Sequence, residues 1–141
     1  MPRRPPGASR ARQRRTPRGG APRRFSELPG LGGPARAAVH RLEAERFWPG
    51  CLQDSLARFA RPLRAPGRVL YPHVANCPCD DALDGRDTVE ALLRALAPRP
   101  RREVRALVAR LDEEFAGRTL PDPGAPLEPG AGWWNRRLSE P

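Results

Sequence analysis

The chain has 141 residues and a formal net charge of +10 at pH 7. That length fits one small domain with tails. Its three cysteines are too few for a disulfide scaffold, and no apolar run approaches the length of a membrane span.

All 26 basic residues are arginine; lysine and isoleucine are absent, and asparagine occurs twice. Arginine, proline, glycine and alanine have GC-rich codons, so a high-GC gene accounts for much of this composition. Arginine in place of lysine is then weak evidence for bidentate phosphate recognition. Codon bias does not explain an absence of acids. Residues 1–24 hold nine arginines and no acid, whereas residues 25–141 hold 17 arginines against 16 acids. The sequence is a nearly neutral body with a cationic arm.

Residues 1–33 read as a disordered arm rich in arginine, proline and glycine. Up to residue 24 it has no large apolar side chain after Met1, so it cannot bury enough surface to offset the entropy of ordering. Its arginines, Arg3, Arg4, Arg10, Arg12, Arg14, Arg15, Arg18, Arg23 and Arg24, are the candidate polyanion-binding residues. The "RRF" at 23–25 lacks the apolar stretch that a twin-arginine export signal needs after it.

A helical domain is expected over 34–117. Pro34 suits a first helical turn, and Ala35, Ala38, Val39 and Leu42 place a first helix over 34–47. Pro49 ends it. Leu52, Leu56 and Phe59 give a second helix over 49–61, stopped by Pro62. Residues 62–86 are loop-rich, with "RVLY" at 68–71 as a short extended piece. Asp87 and Glu90 resemble a capping box opening a third helix, with Val89, Leu92, Leu93 and Leu96 on one stripe. "APRP" at 97–100 interrupts the chain. Val104, Leu107, Val108, Leu111 and Phe115 then form a second stripe, and Gly117 stands where a left-handed cap is expected. Two striped helices across a short break imply an antiparallel hairpin. The fold class is therefore mainly α, a small bundle of about four helices. An extended Pro/Gly-rich tail over 118–141 carries Trp133 and Trp134. These either cover the helices or, with Arg136 and Arg137, face a partner.

"YPHVANCPCDD" at 71–81 raises a metal or redox site. His73, Cys77, Cys79 and the distant Cys51 would supply four zinc ligands. The one-residue gap between Cys77 and Cys79 is tight for a tetrahedral ion, and no second cysteine pair exists. A plain loop fits better. Cys51 falls in the first turn of the second helix, where the helix dipole is expected to lower its pKa. "DDALDGRDTVE" fails as a calcium loop: with Gly85 at the sixth position, the third is Ala82 and the twelfth is Ala91, which removes the bidentate ligand, so the segment reads as a turn leading into the cap of the third helix. "WWNRRL" is one residue short of a homeodomain recognition pattern and follows "PGAG" rather than a helix.

Neither a nucleophile–base arrangement nor a phosphate-cradling loop is present. The sequence therefore favours a non-catalytic, cytoplasmic protein-interaction module, monomeric or dimeric, with the arm adding electrostatic attachment and no cofactor. Nucleic-acid association through the arm is the alternative, and a zinc or thiol site the third.

Overall fold

The computed structural model describes residues 28–72 and 81–140. They are mainly helical: α1 Gly33–Arg46, α2 Cys51–Ala60, α3 Ala82–Ala95 and α4 Pro98–Arg118. Two short 3-10 turns, Pro62–Arg64 and Trp133–Arg136, complete the regular structure. These residues contain no strand, only an isolated antiparallel bridge between Pro121 and Arg137. Arg3, Arg4, Arg10, Arg12, Arg14, Arg15, Arg18, Arg23 and Arg24, and likewise His73, Cys77 and Cys79, lie outside the described residues.

Helix α1 starts with Pro34 in its first turn and stops before Pro49. Gly50, at φ +81°, turns the chain into α2. No side chain of α2's own N-terminal turn caps it. Glu43 of α1 does so instead, accepting from the backbone N–H of Gly50 at 3.1 Å and of Leu52 at 2.9 Å. The carboxylate is only 2% exposed. This buried charge is stabilised by two otherwise orphaned N–H groups and by the positive end of the helix dipole.

Helix α3 begins nearly two turns earlier than its capping pattern predicts. Asp81 is the N-cap, accepting from the Leu83 N–H at 2.9 Å, and Asp87 lies inside the helix. The misleading signal is Gly85, which reads as a turn glycine. It is a contact glycine: a Cβ there would come within 2.8 Å of the Ser55 carbonyl oxygen on α2. The missing side chain lets the two backbones approach closely, and α3 makes its most extensive packing with α2.

The expected break at 97–100 is shorter than predicted. Helix α4 begins at Pro98, so Pro98 and Pro100 occupy its first turn, where a missing N–H costs little. Arg101 reaches back to the carbonyls of Leu96, at 2.6 and 3.1 Å, and Arg94, at 3.2 Å, which end α3. Gly117 does not form a left-handed cap, because α4 continues through it to Arg118. The Arg118 guanidinium then binds the carbonyls of Leu63, Ala65 and Gly67, fixing the loop after α2.

The two late stripes enter one core. Val89, Leu92, Leu93 and Leu96 of the α3 segment meet Val104 and Val108 of α4, together with Val39, Leu42, Leu52 and Leu56 from α1 and α2. Helix α4 packs most on α1. A second cluster joins Phe59, Leu63, Leu70, Phe115 and Trp134. That last residue belongs to the tail, which does not run away from the body. It loops out after Pro121 and returns, with the Asp122 N–H donating to the Arg136 carbonyl at 2.8 Å and Leu138 to Leu120 at 2.9 Å.

Candidate functional site

The returning tail seats Trp134 on the second turn of α3, at Arg86 and Asp87. Its indole N–H donates to Asp87 at 2.7 Å, and the Asn135 side-chain amide donates to the same oxygen at 3.0 Å. The Arg86 guanidinium lies 3.9 Å from the indole centroid, a cation–π stack on a largely desolvated ring. Arg86 is itself held flat by a bidentate pair with Asp112 of α4, at 2.8 and 2.9 Å, and by Glu90 at 3.3 Å. One arginine thus ties together α3, α4 and the tail.

Trp133 has a different role. It remains 40% exposed, whereas Trp134 is 4% exposed. Ring contacts hold it: its centroid is 6.1 Å from Phe115 and 6.0 Å from Trp134, and the Arg137 guanidinium is 5.6 Å away. Arg137 is occupied structurally, donating to the Thr119 hydroxyl at 2.7 Å and to the carbonyls of Ala116 and Thr119 at 2.7 and 2.9 Å. Arg136 is exposed. Of the four tail residues singled out by sequence, Trp134 and Arg137 build the fold, while Trp133 and Arg136 face outward.

The α3, α4 and tail surfaces enclose a groove of about 340 Å³. Arg86 and Trp134 line it together with Asp112 and Glu90. Arg94, whose side chain is 66% exposed, and the exposed Arg105 lie at its rim with Trp133. Arg94 makes one long contact, 3.4 Å, with Glu90. The lining carries three arginines against two carboxylates, and those carboxylates are already engaged by Arg86. The free cationic character therefore sits on the rim. Sequence reading missed Arg94 and Arg105, since only the fold brings them beside a tryptophan 28 or more residues away.

Cys51 lies fully buried in the first turn of α2. Burial outweighs the helix terminus expected to acidify it, and pushes the thiol up to about 11. Among the described residues no group of three or more histidines, cysteines and acids gathers in a metal-binding arrangement. His73, Cys77 and Cys79 lie outside them. No described helix is long and apolar enough to cross a membrane. No protein-family model, curated protein or solved structure matches the chain.

Proposed function

We propose that the protein is a non-catalytic interaction module whose α3–α4–tail groove docks an acidic, partly apolar segment of a partner protein. One observation supports this above all. Trp133 is exposed yet ordered by ring contacts, and it lines the same groove as the exposed Arg94 and Arg105. An aromatic already fixed in place loses little entropy on binding, and tryptophan and arginine are the side chains on which interface energy concentrates. The rim charge selects a negatively charged partner, and the nine arginines upstream of the body add long-range attraction to it. The odd cysteine count and the free, buried Cys51 support a reducing, cytoplasmic setting for the encounter.

The test is calorimetric titration of the full chain with a short synthetic peptide alternating glutamate with leucine. Charge reversal at the rim (R94E with R105E) is expected to weaken binding about tenfold or more. Trp48→Ala, at an exposed tryptophan outside the groove lining, is expected to leave affinity unchanged. Equal affinity of the wild type and the rim variant would remove the proposal.

A further inference from the structure

Phosphoryl transfer to a protein hydroxyl needs an exposed serine or threonine and neighbouring charges that a kinase can read. Among the described residues the aliphatic hydroxyls belong to Ser55, Thr88, Thr119 and Ser139. Ser55 and Thr119 are buried. Thr88 is half-buried within α3, and its hydroxyl donates to the Asp84 carbonyl at 2.9 Å. Ser139 alone is exposed, and its hydroxyl has no hydrogen-bond partner among the described residues.

The charges beside Ser139 are specific in place and sign. Arg136 and Arg137 stand three and two positions before it, and none of the other three hydroxyls has arginine at both positions. Kinases that select basic substrates line the acceptor cleft with carboxylates, which take guanidinium groups at those two positions while the chain lies extended. The Arg136 side chain is exposed and makes no hydrogen bond or ion pair among the described residues. From Arg137, at φ −111° and ψ 144°, the backbone is already extended.

Arg137 is claimed by the fold as well. Its guanidinium donates to the Thr119 hydroxyl and to the carbonyls of Ala116 and Thr119, and the Leu138 N–H donates to the Leu120 carbonyl at 2.9 Å. A kinase gains Arg137 only when the segment from there on lifts off the end of α4. That motion exposes little apolar surface, because Ser139 and Glu140 are already exposed and Leu138 is half-buried. Segments with so few buried contacts open at the low end of the local stability range.

We propose that Ser139 is a phosphorylation site for a serine/threonine kinase that selects basic substrates, and that the Arg137 contacts gate access to it. In the transfer the Ser139 Oγ attacks the γ-phosphorus of ATP. The kinase's catalytic carboxylate takes the hydroxyl proton, and the bond from the γ-phosphorus to the β–γ bridging oxygen breaks, releasing ADP. The phosphoserine formed adds about −1.5 to −2 charge at pH 7 next to two arginines. This modification is independent of the docking groove and goes beyond the function proposed for it.

The experiment incubates the full chain with ATP and the catalytic subunit of a cyclic-AMP-dependent kinase. Phosphate on Ser139 is followed by fragmentation mass spectrometry of the intact protein. Ser26, which follows Arg23 and Arg24 at the same spacing, is replaced by alanine in every sample. Ser139 is expected to be phosphorylated, and Arg136→Ala to slow the reaction by about tenfold or more through loss of one charge-assisted contact. Circular dichroism checks that this exposed substitution leaves the helices unchanged. Trp134→Ala, which frees the tail, is expected to speed the reaction several-fold. No phosphate on Ser139, or equal rates with and without the Arg136 side chain, overturns the site. A Trp134→Ala rate no faster than that of the parent chain overturns the gating by Arg137.

Discussion

The Arg86 guanidinium stacks 3.9 Å from the centre of the Trp134 indole, and the neighbouring Asp87 accepts that indole's N–H at 2.7 Å. Two consecutive residues of α3 thus hold one tail side chain by its face and by its edge. The arrangement turns a proline- and glycine-rich tail into part of the core. Trp134→Ala removes a buried ring from the second hydrophobic cluster and is expected to cost about 3 to 5 kcal/mol in urea unfolding. Trp134→Phe keeps most of the packing and gives up one hydrogen bond to Asp87, which retains the Asn135 amide as a donor; it should cost about 0.5 to 1.5 kcal/mol. A loss below the Phe value for the Ala variant would mean that the tail does not close on the body.

Glu43 should matter more than an isolated acid on a helix normally does. Its carboxylate satisfies the Gly50 and Leu52 N–H groups at the α2 start. Glu43→Ala removes the acceptor from the buried Leu52 N–H and the part-buried Gly50 N–H and is expected to cost about 2 to 3 kcal/mol. Glu43→Gln retains an acceptor but loses the charge, and an intermediate loss is expected. Thermal unfolding of the pair against wild type distinguishes a buried inter-helix cap from a surface acid, whose removal changes stability by about 0.5 kcal/mol or less.

Two glycine-to-alanine changes are expected to act in opposite directions. At Gly117 a Cβ meets nothing within 4 Å and the backbone is helical. Alanine there should stabilise by about 0.5 to 1 kcal/mol, through helix propensity and reduced unfolded-state entropy. At Gly85 the same methyl would lie 2.8 Å from the Ser55 carbonyl and 3.1 Å from the Arg58 Cβ. Helices α2 and α3 would have to separate, at a cost of about 1 to 3 kcal/mol. Stabilisation at both sites would rule out the close α2–α3 approach, and destabilisation at Gly117 would restore a left-handed cap.

The thiol of Cys51 supplies a pH test. Burial raises it from 9.0 to about 11. Between those values the unfolded chain has released this proton and the native chain still holds it, so stability falls as pH rises. The loss begins near pH 9, is complete by about pH 11, and amounts to roughly 2 to 3 kcal/mol. Cys51→Ala should flatten the alkaline part of the stability curve by that amount relative to wild type. Parallel curves for the two proteins would place the thiol in water.

The helices were legible because their stripes are local. Leu52, Leu56 and Phe59, and then Val104, Val108 and Phe115, repeat at helical spacing, and each is buried. The errors came where one residue type serves two purposes. Gly85 and Gly117 looked like turn and cap signals, yet one permits close helix contact and the other is simply tolerated inside α4. Asp87 looked like an N-cap but holds a tryptophan 47 positions away. The groove was invisible for the same reason: Arg94, Arg105 and Trp133 share no local pattern and meet only through the folded tail. Glu43 likewise gave no local sign that its charge would be buried at another helix's start.

The most direct measurement is a two-dimensional NMR spectrum of the three indole N–H groups, recorded in deuterated solvent and then during titration with the acidic glutamate–leucine peptide. Trp134, bonded to Asp87, should exchange slowly and hardly shift. Trp133 should shift with added peptide, while the exposed Trp48 stays put. Trp134 exchanging as fast as a free indole, or peptide that moves Trp48 and leaves Trp133 unaffected, would contradict the tail-built docking groove.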